Sequence, residues 1–177
     1  DIRIQSLVRY ELENAMEKFS AIGAVGIVLD VNTGEIISMV SLPDFNPNRP
    51  VTAAGVAGFN SATKGVYEMG STFKLFTSAM ALDTGRVRLA DRFDARKPIK
   101  ISRFTIKDYR AKNKWLTLPE VIVHSSNIGA AKIALEVGTN TQKRYLKQLG
   151  LLSPASIELI EVGAPLSPDR WREINTM

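Results

Sequence analysis

The chain has no cysteine and a single histidine, His124. The lack of cysteine excludes disulfide bonds and thiolate metal sites, and one histidine cannot build a histidine-rich metal cluster. No apolar run approaches the ~20 residues that a membrane-spanning helix needs. Any serine nucleophile in this chain is therefore expected to take its base from a side chain other than histidine.

What is present is ordinary for a globular protein, with 45% hydrophobic and 23% charged residues in a length of 177. Such a length fits one domain with a core of its own. The net charge of +5 is uneven, because residues 92–114 hold nine basic side chains against Asp94 and Asp108. A patch of this kind could bind an anionic polymer or lipid headgroups, or it could be a solvated surface.

Hydrophobic spacing predicts a helix over residues 1–19, capped by Asp1. The runs AVGIVLD and EIISMVS, joined by VNTG, predict a β-hairpin. A long stretch rich in proline, asparagine and glycine follows as far as Gly70 and is expected to be irregular. The elements after this stretch are mostly helices. A helix, a hairpin and then mostly helices indicate an α+β class.

Residues 71–82 show a helical pattern, and residues 92–107 contain short alternating runs typical of small strands. Thr117 is expected to cap a further helix with Pro119 in its first turn. The segments SNIGAAKIALEVG and TQKRYLKQLG predict two more helices, each ended by glycine, and SIELIEV is a weak candidate for a further strand.

Ser71 and Lys74 lie three residues apart in EMGSTFKLFTSAMAL, so a helix would place them on one face. A neutral lysine can act as a base, provided that burial or a nearby positive charge lowers its pKa. Phe73, Leu75 and Phe76 are candidates for apolar walls, and Gly70 would allow a substrate backbone to approach. The alternative is an ordinary helix start with a serine cap and a coincidental lysine.

A second element, Ser125-Ser126-Asn127, follows about fifty residues later in HSSNIGAAKIAL. A serine hydroxyl there could relay a proton, and the asparagine could bind a substrate amide. The alternative is a cluster of helix-capping residues. Taken together, the two elements match the S-x-x-K and S-x-N pair of penicillin-recognising acyltransferases.

The flanking text extends the likeness beyond these two elements. VLDVNTGEIISMVSLPDFNPN, YEMGSTFK, HSSNIGAAKIAL and DRWREINTM resemble the N-terminal half of the transpeptidase domain of class B penicillin-binding proteins, in particular the cell-division members. The resemblance implies the penicillin-binding protein and serine β-lactamase-like fold, an antiparallel sheet flanked by helices, here truncated. We expect residues 1–177 to be a partial transpeptidase domain excised from a longer protein.

The resemblance also implies roles for individual residues in peptidoglycan cross-linking. Ser71 would be the nucleophile, with its own N–H as one oxyanion donor, and Lys74 would be its general base. Ser125 would relay a proton, and Asn127 would contact the substrate amide. No cofactor, metal or nucleic acid is implied.

The implied partners are peptidoglycan stem peptides, β-lactam antibiotics and other cell-division membrane proteins. The implied location is the periplasmic face of the bacterial inner membrane, with the parent protein anchored by an N-terminal transmembrane helix outside this chain.

The sequence departs from the family pattern at two points. Met69 stands where proline is usual. The third family motif, Lys-Thr/Ser-Gly on a sheet-edge strand, does not occur here, so the fragment alone is expected to be inactive. His124, just before Ser125, is interpreted as a structural or surface residue.

Two other functions stay open. One is a serine β-lactamase or β-lactam sensor, although no segment resembles the additional glutamate element of class A lactamases. The other is a non-catalytic binding module that uses the basic 92–114 segment, for which binding should fall steeply with salt and be unaffected by Ser71→Ala.

Overall fold

The computed structural model describes residues 1–49, 55–101 and 104–172. It contains two compact units, Asp1–Val66 with Pro154–Ala164, and Tyr67–Ser153 with the described residues from Pro165 on. Both units contain helices and antiparallel strand pairs, as the predicted α+β class requires. Arg103 of the basic segment and the last five residues of DRWREINTM lie outside the described residues. None of the helices in the described ranges is long and apolar enough to cross a membrane.

The first unit begins with helix α1, Ile2–Phe19, followed by an antiparallel hairpin of β1, Ala24–Leu29, and β2, Ile36–Leu42. The side chain of Asp1 caps α1 by accepting the backbone N–H groups of Arg3 and Ile4. The predicted helix, its cap and the predicted hairpin are therefore all confirmed.

Gln5 attaches α1 to the outer edge of β2. Its Nε2 donates to the Met39 carbonyl at 2.7 Å, and its Oε1 accepts the Met39 N–H at 3.0 Å and the Ser38 hydroxyl at 2.9 Å. One side chain thus satisfies strand-edge groups that a neighbouring strand would otherwise bond. Val40 and Leu42, which alternate with Met39 along β2, are buried.

The stretch expected to be irregular contains two helical pieces, a 3₁₀ turn at Gly55–Gly58 and the short helix α2, Ser61–Lys64. The expectation of a strand at SIELIEV is wrong, because residues 156–162 have no strand pairing. Just after them, Gly163 donates its N–H to the Thr63 carbonyl at 2.8 Å, so this part of the chain bonds to α2 instead.

Among the residues that the structure describes, the second unit contains four α-helices and four three-residue strands. The helices are α3, Phe73–Asp83, α4, Leu118–Val123, α5, Asn127–Val137, and α6, Thr139–Gln148. The strands are β3, Arg92–Asp94, β4, Ile99–Ile101, β5, Phe104–Ile106, and β6, Trp115–Thr117. β3 pairs with β6 and β4 with β5, both antiparallel. The core is built mainly from α3, α4 and α5; its largest fully buried side chains include Met80, Leu116, Val121, Ile128, Ile133 and Val137.

The predicted cap at Thr117 forms a complete capping box. Thr117 Oγ1 accepts the Glu120 N–H at 3.4 Å, and the Glu120 carboxylate accepts the Thr117 N–H at 2.9 Å. Lys114 donates to the same carboxylate at 2.8 Å, and these bonds, that of Lys114 foremost, lower the pKa of Glu120 to about 2. Pro119 occupies the first turn as predicted. Strand β6, which was not predicted, runs directly into this cap.

Helices α4 and α5 approach closely at Gly129. A Cβ placed there would lie 2.4 Å from Val121 Cγ2 and 3.2 Å from Ser126 Oγ. Real carbon atoms do not approach so closely, so only glycine fits without movement of the neighbouring side chains.

We therefore expect Gly129→Ala to lower the free energy of unfolding by about 1–3 kcal/mol, the usual cost of overpacking a core. This loss should outweigh the gain of up to ~1 kcal/mol in helix propensity. Denaturant unfolding of the two proteins measures the difference. Glu136→Ala, on the exposed side of the same helix, is the matched control and should change stability by less than about 0.5 kcal/mol. A Gly129→Ala protein as stable as wild type would contradict the close approach.

Candidate active site

Three polar side chains of the second unit meet at one point. Lys74 Nζ donates to Ser71 Oγ at 3.1 Å, to Ser125 Oγ at 2.9 Å and to the Ser125 carbonyl at 2.7 Å. Ser125 Oγ in turn donates to Ser71 Oγ at 2.9 Å. The structure thus brings together three of the four residues that the sequence singled out, across a separation of 54 positions.

Ser71 lies in a 3₁₀ turn, Gly70–Thr72, that leads into α3. The predicted helix therefore begins two residues late, at Phe73, and neither end of the turn has a side-chain cap. The interpretation of Ser71 as an ordinary capping serine is wrong. Gly70 has a φ of +54°, and a Cβ placed there would have no atom of another described residue within 4 Å, its chain neighbours aside. Glycine therefore suits this turn because of its left-handed backbone and not because space is short.

Ser125 also has a left-handed backbone, with φ of +50°. It follows α4, and its N–H donates to the Ile122 carbonyl at 3.0 Å. In this conformation both the carbonyl oxygen and the hydroxyl of Ser125 reach Lys74. A left-handed conformation is uncommon for a residue other than glycine, asparagine or aspartate, and it marks this turn as unusual.

The three acceptors around Lys74 match the hydrogen-bonding capacity of a lysine side chain. An ammonium group has three N–H donors and no acceptor. A neutral amine has two donors and one lone pair, which could accept a proton from either serine hydroxyl at these distances. The same set of contacts therefore accommodates lysine before and after proton transfer.

Burial lowers the pKa of Lys74 below its ordinary value, and the negative charge of Asp108 opposes this effect. The pKa of Lys74 is thus lowered, which is the direction that a lysine acting as a base requires. The expected apolar walls are only partly as predicted, because Leu75 is 56% exposed. Phe73 and Phe76 instead pack against the core, with ring centroids 5.6 Å apart.

The site opens into a cleft of about 570 Å³. Ile106, Ala130 and Ala134 supply its apolar lining, and Glu68 and Lys107 place charges of opposite sign along it. A cleft of this volume lies within the range of small-molecule binding sites in proteins.

Asn127 lies at the start of α5, where its Nδ2 donates to the Lys107 carbonyl at 2.9 Å. This bond leaves one N–H and the side-chain oxygen for a ligand. Between the two site residues, Ser126 caps α5 by accepting the Gly129 N–H at 2.9 Å. The Ser125-Ser126-Asn127 segment therefore includes a helix cap at Ser126, a serine that contacts Ser71 and Lys74, and an asparagine that lines the cleft.

Asp108, whose charge acts on Lys74, is a residue near the site that no pattern in the sequence indicated, although its acidic side chain is an exception within the basic segment. His124 is half-buried at the C-terminal cap of α4, which is a structural position. Within the basic segment, Arg96 pairs with Asp94 and stacks over Trp115.

The Ser–Lys–Ser arrangement on this fold is that of penicillin-recognising proteins. The chain belongs to the penicillin-binding protein transpeptidase domain family, whose model matches residues 24–177. The family predicted from the sequence is therefore confirmed.

Relatives and solved structures agree with this assignment. The chain is 47% identical to the "Probable peptidoglycan D,D-transpeptidase FtsI" of Caulobacter vibrioides and 34% identical to the "Peptidoglycan D,D-transpeptidase FtsI" of Escherichia coli. The matches cover 97% and 98% of this chain but 29% and 30% of the relatives, so the chain spans under a third of their length.

Two solved structures have the same fold. The transpeptidase domain of penicillin-binding protein 3 from Burkholderia pseudomallei matches with a TM-score of 0.79 and 30% identity, over 99% of this chain and 49% of that one. A peptidoglycan glycosyltransferase from Burkholderia ambifaria matches with a TM-score of 0.84 and 30% identity, over 99% and 52%.

Proposed function

We propose that this chain carries the nucleophile and base of a peptidoglycan D,D-transpeptidase, which cross-links stem peptides during septal cell-wall synthesis. The observation that carries the proposal is the contact of Ser71, Lys74 and Ser125 at 2.9–3.1 Å between side-chain atoms. The names of the relatives from Caulobacter vibrioides and Escherichia coli support the substrate and the reaction.

In the proposed first step, neutral Lys74 removes the hydroxyl proton of Ser71. The oxygen of Ser71 attacks the carbonyl carbon between the two terminal D-alanines, and the Ser71 N–H stabilises the developing negative charge. Ser125 relays a proton to the leaving nitrogen as the C–N bond breaks. The products are a Ser71 acyl-enzyme and free D-alanine.

In the second step, an amine from a neighbouring stem peptide attacks the acyl-enzyme. As the new peptide bond forms, the ester bond to Ser71 breaks, and the proton released by the amine passes through Lys74 and Ser125 to the Ser71 oxygen, which regenerates the hydroxyl. Asn127, with one N–H and its oxygen free for a ligand, would hold the substrate amide. A β-lactam would acylate Ser71 in the same way and remain attached.

We further propose that residues 1–177 are the N-terminal part of the transpeptidase domain of a longer protein. The support is the match to under a third of each curated relative and the absence of a Lys-Thr/Ser-Gly motif from the sequence. The proposed location is the periplasmic face of the bacterial inner membrane, and the proposed partners are other cell-division membrane proteins.

The test is the covalent reaction of the protein, at its full encoded length, with penicillin. We expect intact-mass spectrometry to show addition of one penicillin, and peptide mapping to place it on Ser71. A protein that stays unmodified, or that is modified at another residue, would overturn the proposal. Rapid hydrolysis of the adduct would instead support a β-lactamase.

A further inference from the structure

The segment that follows β5 contacts the turn between α4 and α5. Asp108 Oδ2 accepts the Ser126 hydroxyl at 2.8 Å, and Asp108 Oδ1 accepts the Ile128 N–H at 2.9 Å. The carbonyl of Lys107 accepts the side-chain N–H of Asn127, the residue between these two. Three consecutive residues, Ser126 at the cap of α5 and the first two residues of that helix, are therefore held from one side.

Both groups that Asp108 holds are shielded from water. Ser126 is 1% exposed and Ile128 is 2% exposed. Hydrogen bonds to a carboxylate are stronger than those between neutral groups, and an unpaired buried donor is costly. The Asp108 carboxylate thus fixes the start of α5 at the residues immediately after Ser125.

We propose that Asp108 is a positioning residue for acylation: by holding Ser126 and Ile128, its carboxylate fixes the turn that presents Ser125 to Lys74 and Ser71. This inference rests on the proposed function, since it concerns the rate at which Ser71 is acylated. It adds a residue that makes no hydrogen bond to Ser71 or Lys74 among the contacts of the described residues.

The charge of Asp108 has a second, measurable effect, because it raises the pKa of Lys74 against the effect of burial. Besides Lys74, the charged side chains that line the cleft are Glu68 and Lys107, and the residues that α5 contributes to its lining, Asn127 among them, are uncharged. Replacing Asp108 with neutral asparagine should therefore lower the pKa of Lys74. More of the lysine would then be neutral at a given pH, so the acylation rate would reach half its maximum at a lower pH.

The experiment measures the rate constant for acylation by a fluorescent penicillin as a function of pH, with the protein at its full encoded length. Asp108→Asn keeps an oxygen for the Ile128 N–H but loses the acceptor for the Ser126 hydroxyl. We expect its maximal rate to fall about 10- to 100-fold, the effect of one hydrogen bond to a charged group, and its midpoint to move to lower pH. Ser126→Ala, which leaves the carboxylate in place, should slow acylation without moving the midpoint.

Asp91→Asn is the matched control, because Asp91 also accepts a backbone N–H, that of Arg88 at 2.8 Å, whereas the bonds to Ser126 and Ile128 are made by Asp108. It should acylate like wild type. An Asp108→Asn protein with the wild-type rate and midpoint, or one that is slower with an unmoved midpoint, would overturn the inference. If that variant does not fold, a wild-type rate for Ser126→Ala would do so. Failure of the wild-type protein to acylate would overturn the proposed function as well. A wild-type protein that acylates while the variants behave like it would overturn only the role of Asp108.

Discussion

Replacing Ser71 with alanine should leave no detectable penicillin adduct, whatever the time of incubation. The hydroxyl oxygen of Ser71 is the atom that forms the acyl bond in the proposed reaction, and loss of a nucleophile costs about a million-fold in rate where it has been measured in a serine hydrolase. Ser71 is exposed, so the substitution should leave stability unchanged within about 0.5 kcal/mol. Intact-mass spectrometry after incubation with penicillin provides the measurement.

Thr72→Ala is the matched control for this experiment. Thr72 carries the neighbouring hydroxyl, is exposed like Ser71 and lies in the same 3₁₀ turn. It should form the adduct at close to the wild-type rate. An adduct that persists in Ser71→Ala and disappears in Thr72→Ala would move the nucleophile to Thr72 and disprove the assignment.

Replacing Lys74 with alanine should slow acylation of Ser71 by about 10²–10⁴-fold, the contribution usual for a general base. Lys74 also makes hydrogen bonds to both Ser71 and Ser125, so its loss removes two of the three side-chain hydrogen bonds that join these residues. The wild-type rate should rise with pH as Lys74 loses its proton, at a midpoint below the ordinary pKa of lysine, because burial lowers the pKa. The variant should lose this rise. Stopped-flow measurement of acylation at several pH values tests both effects.

Lys147→Ala, which removes an exposed lysine from the last turn of α6, is the control and should acylate like wild type. A Lys74→Ala protein that retains the wild-type rate and pH dependence would exclude lysine as the base. Proton transfer would then have to be assigned to another group at the cleft.

The elements that the sequence predicted well depend on neighbouring residues alone. The Asp1 cap and the Thr117 cap are each determined within a few positions, and the hairpin of β1 and β2 by two alternating runs joined by one short turn. Their hydrogen bonds form locally, so the residue types at those positions suffice to predict them.

The features that sequence reasoning missed depend on contacts between distant segments. The 3₁₀ turn at Ser71 replaces the expected first turn of α3, where the chain brings the serine to Ser125, 54 positions away. Asp108 reaches the start of α5 across 18 and 20 positions, and no local pattern indicates such a contact. For the candidate site, the spacing of residues along the sequence identified the candidate residues, whereas only the tertiary structure gives the distances between their side chains.

The backbone of Ser125 links stability and chemistry at a single position. A left-handed residue with a side chain is less stable than glycine there by about 1 kcal/mol, since its Cβ crowds the backbone. Glycine would relieve that strain but would remove the hydroxyl that contacts Ser71 and Lys74. Selection for thermostability alone would therefore favour glycine at this turn, whereas the proposed acylation requires the serine that is present.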